Sequence, residues 1–580
     1  MKSNYIERKA RFSGRKKFYQ LVTLIFVMAM TVCLSACNDK EAMKNSDYAF
    51  YLENNEIQYA DLENMDAIES KQLTEKLLES KDGDIYSVSD DIDLILKNQA
   101  VLFPDHSNEQ ETRLYYKFLN KENEKPQFID ENIKTYLLSE DKENLLYVQG
   151  DNFSLYQWSF DSKKKEKLTE YVGEYHFSKD GKEICYLDEH ADLYVKSQNK
   201  EPQKLAENIL YIYYFNEDLT KFLYGKDEDM YLYQAGKEEK IAEGVVPLGF
   251  FENGEGYYLT DKKMISWEEL IEDDVPSDSP KKEYVKALFE EGAYEYGWTL
   301  NTLWYFDGEK SHKLSDRYLW YLQSIMPDVA MSSWLMKDRT QLFYREYDAK
   351  AFEKIKLSEL KEENEVDGKI FDEFQKSAPF FVAIKDKMMT IPGVVAENVS
   401  TDASGRHLYF YKNPDADFLK GDLYRIEVSE DGVSEPEFVS DNVLLSRENV
   451  LSDGTEIYFK FRDEFVGDLY IDGKKVEENV EAYTWQYDEK TKTLLYLANW
   501  NRKGEYGDLK SYVNGESKFI ANDVFDAYFT ESGKILYMTD RQTGNEGKNS
   551  LFVYNGEKSQ QITQNMQRLY FIGDERRDPM

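Results

Sequence analysis

The feature that most limits what this chain can fold into is a unit of about 40 residues that recurs along most of its length. The copy from Tyr175 to Asn208 shows the parts. Tyr175-His176-Phe177 reads as a strand and Ser178-Lys179-Asp180-Gly181 as a turn; Glu183 to Leu187 reads as a second strand and Asp192 to Lys196 as a third. A piece around Lys204-Leu205-Ala206 closes the unit. Asp-Gly between apolar runs is a hairpin signal, because glycine takes φ > 0 without steric cost. The period comes from the second-strand tyrosines. Tyr147, Tyr186 and Tyr224 are 39 and 38 residues apart, and Tyr458, Tyr496 and Tyr537 are 38 and 41 apart. Four short strands per repeat of this length predict the blade of a β-propeller. Blades stack face to face, so their central strands are covered on both sides. That accounts for the unbroken apolar runs Ile184-Cys185-Tyr186-Leu187 and Leu494-Leu495-Tyr496-Leu497.

Two further marks repeat. The third strand opens as Asp192-Leu193-Tyr194, Asp422-Leu423-Tyr424 and Asp468-Leu469-Tyr470, with weaker forms at Asp508-Leu509 and Ser550-Leu551-Phe552. The turn before the second strand returns as Asp180-Gly181-Lys182, Asp453-Gly454-Thr455 and Ser532-Gly533-Lys534. Together these resemble the blades of TolB-type propellers, although the proline that follows serine in that family's turn is missing throughout. The resemblance implies a fold; it implies no particular function, since that fold carries many tasks.

Units fall near 89–130, 134–172, 173–210, 211–243, 398–443, 444–482, 483–523 and 524–565. The pattern is stretched between 244 and 397, which predicts two blades carrying helical insertions. Ser279 as N-cap and Pro280 at the first helical position start one insertion, running to Gly292, and 351–377 forms the other. Gln567 to Ile572 is an inner-strand pattern with no blade after it. Tyr48 to Leu52 and Ile57 to Leu62 are outer strands with no inner one before them. The two ends are therefore expected to share one blade. The fold class is all-β, a propeller of about ten four-stranded blades. A single ring typically holds about four to eight, so two rings are expected ahead of one large irregular ring.

The first 36 residues form a separate region. Basic residues from Lys2 to Lys17 precede an apolar run from Leu21 to Ala36, the composition of a secretory signal. Leu34-Ser35-Ala36-Cys37 closely resembles the lipobox of bacterial lipoproteins. That resemblance implies cleavage before Cys37, lipid on its sulfur and a protein anchored on the outer face of the bacterial cell membrane, with 37–46 as a polar tether. The domain plan is then signal 1–36, tether 37–46, blades over 47–243, stretched blades over 244–397 and blades over 398–580.

Charge and composition narrow the task. The formal charge is −38, and the chain from Cys37 onward is six units more negative, because the first 36 residues hold seven bases and one acid. Such a surface repels nucleic acid and anionic headgroups. It suits a solvated acidic coat and a neutral or cationic partner. With Cys33 in the signal and Cys37 lipidated, Cys185 is left alone, a small buried hydrophobe in a strand.

No Gly-x-Ser-x-Gly elbow, zinc-binding His-Glu-x-x-His or phosphate loop is present. His176 and His190 share one blade with Glu189 and Asp192, but strand and surface roles account for them, and no metal or cofactor is expected. Five of the eight tryptophans fall between 267 and 334. Trp298, Trp304, Trp320 and Trp334 are therefore the candidate ligand or partner surface, flat apolar faces suited to a sugar or a protein. The expected function is a non-catalytic binding, interaction or sensor module for a protein or glycan of the cell envelope. The alternative is a carbohydrate-active enzyme, hydrolase or lyase, using a carboxylate pair that needs no sequence motif.

Overall fold

The computed structural model describes residues 47–572, apart from 75–90, 265–275, 291–298, 320–333, 337–340, 347–378, 393–398, 414–419, 445–448, 541–547 and a few single or paired residues. The insertion expected over 351–377 lies outside the described residues. Among those described, the strands form eleven antiparallel four-stranded units, some joined at their edges into larger sheets, beside one helix, Pro280–Glu290. We number the sheets as blades in chain order. Blade 1 holds 48–72, and blades 2 to 5 cover 91–131, 133–169, 175–206 and 211–242. Blades 6 and 7, at 246–319 and 334–391, occupy the stretched region. Blades 8 to 11 cover 399–444, 449–481, 486–524 and 526 onward.

The last strand, Ser559–Ile572, serves two blades. Its first part is the outer strand of blade 11, with Tyr554 opposite Ser559 and Leu551 opposite Thr563. Its second part is the inner strand of blade 1, with Leu52 opposite Arg568 and Phe50 opposite Tyr570. Its end also runs parallel to the inner strand of blade 2, Asp91 facing Phe571. Asp47 holds the junction: its carboxylate is buried, accepts hydrogen bonds from the Ser532 hydroxyl and, at 2.8 Å, from Lys534 Nζ.

Burial follows position in the blade. Second strands are covered throughout, as in Asn144–Gln149, Glu183–Leu187 and Lys221–Lys226. Outer strands such as Lys164–Thr169 and Lys237–Ala242 are exposed and lysine-rich, which protects their free edges from stray pairing. The faces of one second strand go to different neighbours. Ile184 and Tyr186 pack on blade 3, whereas Cys185 and Leu187 pack on blade 5. In the next blade Phe222 and Tyr224 face blade 4 and Leu223 faces blade 6.

Every consecutive pair of blades shares one such apolar cluster, and a last cluster joins blade 11 to blade 1 through Leu536, Leu551, Ala49 and Tyr51. The sheets therefore close as one cycle. The expected pair of rings is corrected to a single ring, because no blade breaks the sequence of face-to-face contacts at which a second ring could begin. Eleven sheets about 10 Å apart need a circuit of roughly 110 Å at mid-blade. Inner strands such as Tyr175–Phe177 are only half-buried.

The Asp-Leu-Tyr mark has a role for each residue. The leucine is buried (Leu193, Leu423 and Leu469). The aromatic stacks on the second-strand aromatic beside it, as in Tyr186–Tyr194 at 5.5 Å and Tyr458–Tyr470 at 5.3 Å between ring centroids. Between the two residues the register to the outer strand shifts: Leu193 faces Ala206 but Tyr194 faces Lys204. This bulge turns the outer strand toward the next blade. The aspartate secures that turn, since Asp192 accepts the Asn208 N–H at 3.2 Å and pairs with Lys204 at 2.7 Å.

In blade 9 the residue before the mark is Gly467, where a Cβ would lie 2.7 Å from Phe459 Cβ and 2.9 Å from the Lys460 carbonyl oxygen. Neither neighbour can move without shifting the second strand. Gly467→Ala should therefore cost about 1–3 kcal/mol, seen as a lower urea midpoint; an unchanged midpoint would mean the strands are not this close.

Candidate functional site

In an antiparallel blade the strands alternate in direction, so the loops between second and third strands lie on the same face as the connections between blades. We call this the connection face; the turns between first and second strands lie on the opposite, turn face. Over blades 3 to 5 the connection face is built on one repeated frame. The third residue of each connection after the outer strand donates its N–H to the corner before the third strand: Val172 to Phe153 O at 3.1 Å, Ile209 to Ala191 O at 2.7 Å, and Val245 to Glu228 O at 2.7 Å.

The frame needs two residues in the left-handed region. At the corner these are Phe153, Ala191 and Glu228, with φ of 46°, 61° and 71°. On the connection they are Tyr171, Asn208 and Gly244, with φ of 49°, 56° and 58°. Asparagine and glycine suit that conformation, whereas an ordinary L-residue is disfavoured in it by about 1–2 kcal/mol. Blade 3 thus places aromatics at both positions where its neighbours carry small or polar residues. Both side chains face solvent, Phe153 at 38% and Tyr171 at 52% exposure. The connection from blade 4 to blade 5 adds Leu210 and Tyr211, exposed at 49% and 41%, where the preceding connection has Gly173 and Glu174.

Beneath this patch the inner strands are tied to each other. One oxygen of Glu174 meets His176 Nε2 at 2.9 Å and the other accepts the Ile212 N–H of blade 5 at 3.3 Å. The His176 ring lies 4.5 Å from that of Phe215, and Tyr213 stacks on Phe250 of blade 6 at 5.7 Å. Gly225 makes room for Tyr213, for a Cβ there would lie 2.3 Å from the hydroxyl oxygen. Burial pushes the Tyr213 phenol up to about 12, so it stays neutral at any physiological pH. The exposed residues therefore stand on a fixed base.

Carboxylates surround them. Lys204 is shared between Asp192 and Glu207, at 2.7 and 2.6 Å, and Lys240 between Asp229 and Glu243, at 2.7 and 2.8 Å. The corners add Asp188 and Glu189 in blade 4 and Asp227 and Glu228 in blade 5. With each lysine divided between two acids, the loops stay net negative.

Of the tryptophans expected from sequence, Trp304 and Trp334 lie among the described residues, on blades 6 and 7. Trp304 lies on the third strand of blade 6, stacked on Tyr258 at 6.3 Å and donating Nε1–H to Thr260 Oγ1 at 2.8 Å. It takes the place of the third-strand tyrosine of other blades. Trp334 opens the strand Trp334–Met336, its backbone opposite Phe343. Trp298, Trp320 and Cys37 lie outside the described residues. Cys185 is fully buried and burial pushes its thiol up, so it is protonated and inert. Among the described residues no cluster of three or more His, Cys, Asp or Glu could hold a metal ion. Glu346, at the edge of blade 7, has its carboxyl raised by burial, against the Ser315 hydroxyl and the Arg317 charge, which pull it down. The patch was missed because exposure is not written in composition. The signal that could have found it is the alignment of Tyr171 with Asn208 and Gly244.

No protein-family model matches the chain, and no curated protein matches it in sequence. Its likeness to solved structures is distant. Tricorn protease matches 89% of this chain at 11% identity and a TM-score of 0.22, and the chain spans 46% of that protein's length. The β-propeller domain of the Trilobed protease from Pyrococcus furiosus, described as having an open velcro topology, is covered to 94% by 80% of this chain, at 10% identity and a TM-score of 0.23. TolB from Acinetobacter baumannii shares 12% identity over 37% of this chain and 57% of its own, with a TM-score of 0.20. The β-propeller fold of this chain rests on its own strand pairing and blade-to-blade packing.

Proposed function

We propose that this protein is a lipid-anchored extracytoplasmic binding module, non-catalytic, held on the outer face of a bacterial membrane through Cys37 and engaging a protein or glycan partner of the cell envelope. The observation that carries the binding role is the exposed group Phe153, Tyr171, Leu210 and Tyr211 on the connection face. Two of them, Phe153 and Tyr171, stand in the left-handed conformation that asparagine or glycine adopts more readily, and large exposed side chains kept at such positions mark a surface for contact.

The ends of the chain support the orientation. Asp47 sits against Ser532 and Lys534, in the turn between the first and second strands of blade 11, and so on the turn face. A ten-residue tether from Cys37 reaches at most roughly 35 Å. Two or more acyl chains on its first residue would keep the turn face toward the bilayer and the connection face away from it. The charge of −38 suits a partner other than nucleic acid. Among the described residues no helix is long and apolar enough to cross a membrane.

Cys37→Ala should abolish incorporation of labelled palmitate in cells and move the protein from the membrane fraction to the soluble one. Labelling that persists in the variant would overturn the anchor.

A further inference from the structure

We infer that the connection face over blades 3 to 5 takes a basic peptide segment of a partner protein, one in which arginine or lysine side chains are interspersed with apolar ones. This inference rests on the reading of that face as the binding surface and names the chemistry of its occupant.

Two properties of the face point to such a segment. The first is its shape in chemical terms: four large apolar side chains, at the corner of blade 3 and along the connections from blade 3 to 4 and from blade 4 to 5, stand in solvent above inner strands that are fixed to each other. Two are tyrosines and one is a phenylalanine, whose ring faces attract guanidinium and ammonium groups as well as aliphatic chains. The second is charge. Glu189 has 53% of its side chain in solvent, and Glu207 and Glu243 have 62% and 82%. Of the lysines among them, Lys204 and Lys240 are each held between two acids and Lys167 is paired with Glu170, so among the described residues these loops offer an anionic ligand little positive charge. A cationic partner gains from the rim, an acidic one is repelled, and a neutral glycan gains from the rings alone. Charge complementarity thus separates the three kinds of occupant.

The blades themselves provide the variants. Phe153→Asn with Tyr171→Asn gives blade 3 the kind of residue blade 4 carries at Asn208, so the frame is kept and the apolar surface removed. The probe is a labelled peptide alternating Arg with Leu, offered to the full chain in neutral detergent micelles, beside the same peptide with Glu for Arg and a neutral chitin hexasaccharide. The Arg peptide should bind, weaken at least tenfold between about 0.05 and 0.5 M salt, and lose at least tenfold in affinity with the double variant, whose melting temperature should stay the same or rise. Glu189→Lys with Glu228→Lys should weaken it several-fold with melting unchanged.

Equal binding of the Arg and Glu peptides, or no salt dependence, overturns the inference. Hexasaccharide binding that the double variant abolishes, with no Arg-peptide binding, overturns the peptide class and leaves the face as the binding surface. Should the double variant melt early, Leu210→Ser is read in its place, and undiminished peptide binding by it overturns the inference. If no probe distinguishes any variant from the parent, and a photo-cross-linking residue at position 171 captures nothing on intact cells, the binding-face reading falls as well.

Discussion

A chain that ends at Asn565 should lose cooperative unfolding and self-associate. The seven residues removed from the described strand, Met566 to Ile572, are the inner strand of blade 1 and hold buried Met566, Leu569 and Tyr570. Their loss frees the edge of Tyr48–Glu53 and of Asp91–Ile95, and it uncovers both apolar clusters that join blade 1 to blades 11 and 2. Two open strand edges beside uncovered core are a template for pairing between molecules. Urea unfolding followed by circular dichroism should become broad and multiphasic, and gel filtration should show aggregates. A truncated chain with the parent's midpoint and slope would mean that the blades stand as an open row stabilised by nearest neighbours alone. A graded version separates closure from truncation. Tyr570→Ala should cost about 3–5 kcal/mol. Tyr570→Phe should be neutral or slightly stabilising, because that buried hydroxyl has no hydrogen-bond partner among the described residues.

Tyr458→Ala should cost about 3–5 kcal/mol, and Tyr470→Ala distinctly less, although the two rings are stacked partners. The difference lies in what covers them. Tyr458 is on the second strand of blade 9, 2% exposed, against Tyr409, Tyr411 and Val443 of blade 8. Tyr470 is only partly buried at the rim of the same cluster. Urea midpoints of the two variants at equal slope test this; equal losses would mean that second strands are not enclosed between blades.

The local parts of this fold could be read from the chain because each is written in a few neighbouring residues. Asp180-Gly181 and Ser532-Gly533 turn the chain by glycine's left-handed φ, and the runs around Tyr186, Tyr224 and Tyr496 are apolar because both faces are covered. The start of the helix Pro280–Glu290 was likewise visible in Ser279-Pro280. The number of rings was not readable, because it depends on which face of Leu223 or Cys185 meets which neighbour, a long-range choice that alternation alone does not record. Nor was the candidate site. Tryptophan density pointed to 298–334, where Trp304 turns out to do a blade tyrosine's work. Tyr171, one of 45 tyrosines, stands where its structural equivalents are asparagine and glycine. Function-bearing positions of this kind break a local rule, and the rule must be known before the break is seen.

The shared blade also orders events in time. Its strands Tyr48–Glu53 and Glu56–Asp61 are made long before their inner partner at Leu569 and Tyr570. At about 5–20 residues per second, the roughly 500 residues between them take on the order of 25–100 s to synthesise. Blades 2 to 10 are each contiguous in sequence and can pair strands as they emerge, within microseconds to milliseconds of being complete. Blade 1 must wait with one edge unfilled until its inner strand has been made, so closing the ring follows the pairing of blades 2 to 10, and Tyr48–Glu53 passes that interval dependent on whatever chaperone or export machinery holds the young chain.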